Sequence, residues 1–163
     1  MLKKKNTIFI LLTLILFLID RVTKNYILSI AENEGNVDIF INSFLNIILV
    51  WNTGIGFGLL SFSDSITYNL ITILIIIINL LIIYMIIKTN DIRSYFLIVV
   101  FGGSLGNLFD RIYYYAVPDF IDLHINNFHW FIFNVADIFI SLGVFCLIIA
   151  EILINKNRNY EKD

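Results

Sequence analysis

From Ser65 to Ile87 the chain runs for 23 residues without a charged side chain, through an Ile/Leu-rich centre. As a helix at ~1.5 Å per residue this stretch is about 34 Å long, enough to cross a hydrocarbon core of roughly 30 Å. Lipid offers no hydrogen-bond partners, so an isolated apolar run of this length must satisfy its backbone internally, as a helix does. Three more runs have the same character, at about 7–30, 94–114 and 134–155. The first is uncharged only over residues 6–19, between Lys5 and Asp20. That is too short to span, so its helix must continue through Asp20, Arg21 and Lys24 to about Ile30. A chain of 163 residues that is 59% hydrophobic leaves room for a single membrane-embedded domain, residues 1–163, and excludes a separate soluble catalytic body.

The distribution of positive charge orients the bundle. Lys3, Lys4, Lys5, Lys88, Arg93, Lys156, Arg158 and Lys162 all fall on one side, whereas the loops at about 31–64 and 115–133 contain neither Lys nor Arg. Both termini are therefore expected in the cytoplasm. The lysines at the N-terminus followed by an apolar run resemble a secretory signal, but the run ends in Asp20-Arg21-Val22-Thr23-Lys24 rather than at a small-residue cleavage site, so an uncleaved first helix is expected. Residues 36–52 are rich in β-branched and aromatic side chains with partial alternation, which predicts two or three short strands on the outer surface, able to offer backbone groups to an extended peptide. The fold expected is an all-α membrane protein, four transmembrane helices with a small extracytoplasmic β element.

Several function classes fall away. Gly54-x-Gly56-x-Gly58 lacks the spacing of a nucleotide loop. A net charge of −2 gives no basic patch for nucleic acid. The lone Cys146 offers no redox pair and is read as packing. His124 and His129 with Asp119 and Asp122 match no zinc spacing, and His129-Trp130 among aromatic residues reads as a membrane-interface belt, with Asp122 solvated; neither metal nor cofactor is expected.

What remains is a set of polar residues that the topology gathers near the outer leaflet: Asp20, Lys24, Asn107, Arg111, Asp119 and Asp137. Charges at membrane depth are expensive and mark function. Asp20 and Lys24 are spaced to neutralise each other, and Asn107, Asp110 and Arg111 are spaced to share one helix face. Gly102-x-x-x-Gly106 reads as close helix packing. Local patterns also allow bland roles: Asn134 and Asp137 have the look of a helix start, and Asp119 after Pro118 that of a turn.

Taken together, Asp20-x-x-Thr23-Lys24, Asn52-x-Gly54, Gly102-Gly103-x-x-Gly106-Asn107-x-x-Asp110-Arg111, Asp119-Phe120 and Phe133-Asn134-x-Ala136-Asp137 resemble the bacterial lipoprotein signal peptidases, signal peptidase II. Their order and spacing cover nearly the whole chain. The resemblance implies an intramembrane aspartyl endopeptidase of the bacterial cytoplasmic membrane. It would remove the signal peptide of diacylglyceryl-modified prolipoproteins, cutting before the lipidated cysteine, and would work as a monomer among membrane lipid. By position, Asp119 and Asp137 are its catalytic pair. Asn52, Gly54, Asn107 and Arg111 are implied to contact substrate, with Asn134, Ala136, Asp110, Asp20 and Lys24 in or supporting the site. Two neighbouring carboxylates that share one proton suit metal-free amide hydrolysis, one acting as base and the other as acid. Arg21, Ile55, Gly56, Pro118 and Ile138 depart from the residues common in the family. A proton-coupled transporter would place charges nearer the bilayer midplane, and a membrane adaptor would use only the outer strands.

Overall fold

The structure, a computed structural model, describes residues 2–54, 65–126 and 128–160. Ile55, Gly56 and Gly58 of the glycine run, and Lys162, lie outside the described residues. Four helices, α1 (Leu2–Glu34), α2 (Ser65–Lys88), α3 (Arg93–Tyr113) and α4 (Val135–Tyr160), are each long and apolar enough to cross a membrane. The first continues through Asp20 and Lys24 as the length argument required, and ends where Gly35, at φ 75°, takes the left-handed conformation and donates its N–H to Ala31 O.

Strands β1 (Asp38–Asn42) and β2 (Leu45–Asn52) form the hairpin expected in the first outer loop. Asn42 Oδ1 accepts the Phe44 N–H at 2.9 Å and closes its turn. The second outer loop, for which the sequence reading names no strand, forms strands β3 (Val117–Ile125) and β4 (Phe128–Phe133). Pro118 argues against a strand because it has no N–H to give the ladder; it is tolerated here at the second position of β3, opposite Trp51. Asn126, at φ 52°, turns the chain into β4. All four strands form one antiparallel sheet in the order β1-β2-β3-β4.

That order has a consequence for the site. Each hairpin connects two successive spans at the same end of the bundle, so pairing of β2 with β3 lays the whole sheet over that end. Ile27, Val37 and Phe120 are buried there with Ile47, Leu49 and Val135, fastening the sheet to the end of α1 and the start of α4. Strand β1 pairs with β2 only as far as Ile48 and β4 pairs with β3 only from Ile121 on, so near Asn52 and Asp119 the two strands pair with each other and have no third strand beside them among the described residues.

Helix α3 is the central span, packed against α1, α2 and α4, whereas α2 and α4 pack on α3 rather than on each other. Ile82 and Ile86 of α2 meet Leu97, Ile98 and Phe101 of α3. Helix α2 is lipid-facing over most of its surface, as expected, but its packed face is not purely apolar: Asn79 Nδ2 donates to Ser104 Oγ at 2.9 Å.

Two glycines set the helix spacing. A Cβ on Gly106 would lie 2.5 Å from Asp20 Oδ2, and one on Gly103 would lie 2.5 Å from the Ala136 carbonyl oxygen. The two glycines are three residues apart and so lie on neighbouring parts of one face of α3, and these contacts bring α1 and α4 side by side against it. Gly106→Ala is expected to destabilise the protein by about 1–3 kcal/mol through overpacking against a side chain fixed by ion pairs. Thermal unfolding in detergent micelles measures this, and an unchanged unfolding temperature would contradict it.

Candidate active site

The start of α4 organises the centre of the site. Asn134 caps the helix: its Oδ1 accepts the Asp137 N–H at 3.2 Å, and Asp137 Oδ2 accepts the Asn134 N–H at 3.2 Å. This reciprocal pair is a capping box, and it leaves the Asn134 amide nitrogen free to act elsewhere. That nitrogen donates to Asp119 Oδ1 at 2.6 Å. One asparagine therefore touches both aspartates, holding Asp137 through its carbonyl and backbone and Asp119 through its amide.

Each carboxylate has a second asparagine. Asn52, the last residue of β2, donates from Nδ2 to Asp119 Oδ2 at 2.8 Å, while its own Oδ1 accepts the Gly54 N–H at 2.8 Å. Asn107 of α3 donates from Nδ2 to Asp137 Oδ1 at 2.8 Å. The acceptor side of Asn107 is also occupied, because Lys24 Nζ donates to its Oδ1 at 2.8 Å. An amide held at both ends cannot flip, so these contacts aim N–H donors at the two carboxylates.

Behind Asn107 lies a buried ion cluster. Lys24 Nζ reaches Asp110 Oδ2 at 2.6 Å and Asp20 Oδ2 at 3.0 Å, and all three side chains are fully buried. Arg21 completes it, with Nη1 2.6 Å from Asp110 Oδ1 and Nη2 3.1 Å from Asp20 Oδ2, its guanidinium 4.9 Å above the Phe109 ring. Two cations and two anions cancel. Asp20 Oδ1 also accepts the Ala136 N–H at 3.0 Å, which ties α1 to the first turn of α4. Arg21 was visible in the sequence only as a departure from the usual residue. The signal that locates it is three charges within one helical turn, Asp20, Arg21 and Lys24, which lipid tolerates only if partners face them.

A cavity of about 240 Å³ opens on this arrangement. Asn52, Asn107, Arg111, Asp119, Asn134 and Asp137 provide its polar wall, while Ile75 and Ile78 of α2 and Ile140 of α4 provide apolar sides. It occupies the gap left between α2 and α4, with α3 as its floor. Arg111 donates through Nη2 to the Gly54 carbonyl, and Tyr68 donates its hydroxyl to the Arg111 carbonyl at 3.0 Å. Nothing in the sequence marked Tyr68. Arg111 Nη1 is buried with no hydrogen-bond partner among the described residues, so it remains a donor available to the cavity.

The structure thus brings Asp119, Asp137, Asn52, Asn107, Arg111 and Asn134 to one cavity, with Gly54 beside it. Asp20, Lys24, Asp110 and Ala136 stand behind the wall. Asp119 belongs to strand β3 rather than to a turn. Its carboxyl is pushed up to about 7, first by burial and then by the neighbouring charge of Asp137, against the lowering pull of the Asn52 and Asn134 amides and of Lys24. Asp122, expected in solvent, is fully buried and bonded to His129 instead, because the β3–β4 hairpin folds over it.

Comparison with known proteins bears on this geometry. A family model described as signal peptidase (SPase) II matches residues 12–153. A lipoprotein signal peptidase of Pelagibacter ubique is 54% identical over 154 residues, covering 94% of this chain and 93% of that protein. One from Anaplasma phagocytophilum is 37% identical over 150 residues, covering 91% and 94%. A solved bacterial membrane enzyme superposes with a TM-score of 0.76 at 32% identity, covering 93% of this chain and 91% of its own.

The cluster makes a sharp demand on Lys24. Lys24→Met leaves one cation facing two buried carboxylates and is expected to destabilise by about 3–5 kcal/mol. Lys24→Met with Asp110→Leu leaves the neutral Arg21–Asp20 pair and is expected to regain most of that stability. Unfolding of both variants in the same detergent tests this; a double variant no more stable than the single one would contradict it.

Proposed function

The chain belongs to the signal peptidase II family, and from that membership and the geometry of the cavity we propose that Asp119 and Asp137 are the catalytic pair of its peptidase reaction. The protein removes signal peptides from prolipoproteins in a bacterial membrane. The observation that carries the assignment of the pair is Asn134, which bonds to both carboxylates at the wall of a cavity lying between apolar helices.

The pair acts as a unit that holds one proton. Its ionised member takes a proton from a water molecule as that water attacks the scissile carbonyl carbon, and its protonated member gives a proton to the carbonyl oxygen. On collapse of the tetrahedral intermediate the C–N bond breaks, the amine takes the proton that the first aspartate gained from water, and the second aspartate recovers a proton from the intermediate's hydroxyl as the new carboxyl group forms. The asparagine donors favour the ionised member without adding a net charge, and burial together with mutual repulsion preserves the shared proton. Arg111 Nη1 supplies a donor for a substrate carbonyl.

The substrate class is the diacylglyceryl-modified prolipoprotein, cut before the lipidated cysteine. The signal helix reaches the cavity laterally from lipid through the gap between α2 and α4. Its cleavage region must unwind there, because an amide inside an intact helix is shielded. The positive charge bias supports cytoplasmic termini, and with them an active site near the outer leaflet. The site is built from one chain, which supports a monomer surrounded by lipid.

Asp119→Asn and Asp137→Asn are each expected to lower cleavage of a purified diacylglyceryl-prolipoprotein by at least ~10²–10⁴-fold while remaining folded in detergent. Equal cleavage by wild type and both variants would return the aspartates to structural roles. The raised pKa of Asp119 fixes a second outcome. A carboxyl raised to about 7 keeps its proton below that pH and loses it above, so the singly protonated pair disappears on the alkaline side. Cleavage rate against pH is therefore expected to fall as pH rises through about 7, and a rate that climbs steadily through that range would contradict the shared-proton mechanism.

A further inference from the structure

Three residues past Asp119 on β3, a second polar cluster lies outside the cavity and is unused by the peptidase geometry. Asp122 is fully buried. His129 of β4 places Nδ1 2.8 Å from Asp122 Oδ2 and 3.0 Å from Oδ1. His124 places Nδ1 3.5 Å from Oδ2, two residues along the strand from Asp122 and therefore on the same face. One ligand atom from each of the three residues lies within 4.8 Å of the others.

Two buried polar atoms in this neighbourhood have no hydrogen-bond partner among the described residues, His124 Nδ1 and Asn46 Oδ1. Asn46 pairs directly with Asp122 across β2 and β3, which puts both side chains on one face of the sheet. Buried polar atoms without partners are rare, and an ion is one of the few things that explains them.

From this convergence we infer that Asp122, His124 and His129 form a binding site for a divalent transition metal ion, with zinc as the reference ion. Two imidazoles and one carboxylate are a donor set for zinc, cobalt, nickel or iron(II) rather than for calcium or magnesium, which take oxygen ligands. Bonds of about 2.0–2.2 Å in a tetrahedral site hold ligand atoms roughly 3.3 Å apart, and the separations of 2.8 and 3.5 Å from Asp122 Oδ2 bracket that value. The His129 side chain is 52% exposed, so the cluster opens to the protein surface. Asn46 Oδ1 offers an acceptor for a water on the ion's open side.

The ion would join β3 to β4 beside the register shift between Leu123 and His124, and so brace the strand that carries Asp119. Its role is structural, and the inference does not depend on the assignment of the catalytic pair. The sequence concealed the site because the spacing of Asp122, His124 and His129 matches no linear zinc motif. His124 and His129 become neighbours only as cross-strand partners in the hairpin.

Untagged full-length protein, stripped with chelator in detergent, is the material for the test. Titration with zinc is expected to raise the unfolding temperature and to load one ion per chain by elemental analysis, and cobalt is expected to add visible ligand-field absorption. His129→Gln and His124→Gln are each expected to weaken zinc affinity by at least about tenfold, while Asp119→Asn retains the ion. His129→Gln is the variant least disruptive to folding, because its side chain is half exposed. Wild type that takes up no zinc would overturn the proposal. So would histidine variants that bind as wild type does, and loss of zinc in Asp119→Asn would move the ion to the wrong carboxylate.

Discussion

The ammonium of Lys24 is the interaction on which the rest of the site depends. Taking a charge out of water costs several kcal/mol even after relaxation, so a fully buried lysine persists only if its donors are matched. Lys24 has three N–H donors and meets three acceptors, on Asp20, Asn107 and Asp110. Those acceptors lie on α1 and α3, and Asp20 extends the link to the Ala136 N–H on α4. A single charge thus fixes three helices at the depth where the two aspartates sit. Gly106 and Gly103 permit the approach that brings these groups within reach, so helix spacing and charge pairing are one constraint seen from two sides.

The arrangement also separates charge from polarity. The four ions lie behind the wall and sum to zero, while the groups touching Asp119 and Asp137 are the neutral amides of Asn52, Asn107 and Asn134. A lysine or arginine bonded directly to either carboxylate would hold both fully ionised and abolish the shared proton. An apolar lining would leave no reason for a fixed orientation. Asparagines held at both ends give orientation without net charge. Asn107 is the junction between the two layers, since it receives a proton donor from Lys24 on one side and presents one to Asp137 on the other.

The spans were legible because the bilayer restricts the options: Ser65–Ile87 can do little else, and Asp20 had to lie within a helix because residues 6–19 are too few to cross. The capping pair of Asn134 and Asp137 was legible for a similarly local reason. The second hairpin was not, because Pro118 disguises β3 and because the pairing that stabilises it comes from β2, more than sixty residues away in sequence. Without β3, Asp119 stands in a loop and Asp122 in solvent, and the structure corrects both placements. Arg21 and Tyr68 escaped for a different reason, since their roles depend on what faces them across a helix interface, which no local pattern encodes.

The pairing of the sheet frames how a peptide can meet the proposed pair. Strands β2 and β3 are interior in the strand order, but β1 leaves β2 at Ile48 and β4 joins β3 only at Ile121, so around residues 50–52 and 117–119 each has only the other as a strand neighbour among the described residues. In the proposed reaction the scissile amide meets the pair from the cavity, whose wall carries side-chain donors. Arg111 Nη1, without a hydrogen-bond partner among the described residues, and the fixed asparagine amides are donors on that wall. The sheet's contribution is rigidity. It carries Asp119 on a central strand fastened to α1 and α4, so the carboxylate that comes from outside the helices is held as firmly as the one that comes from within them.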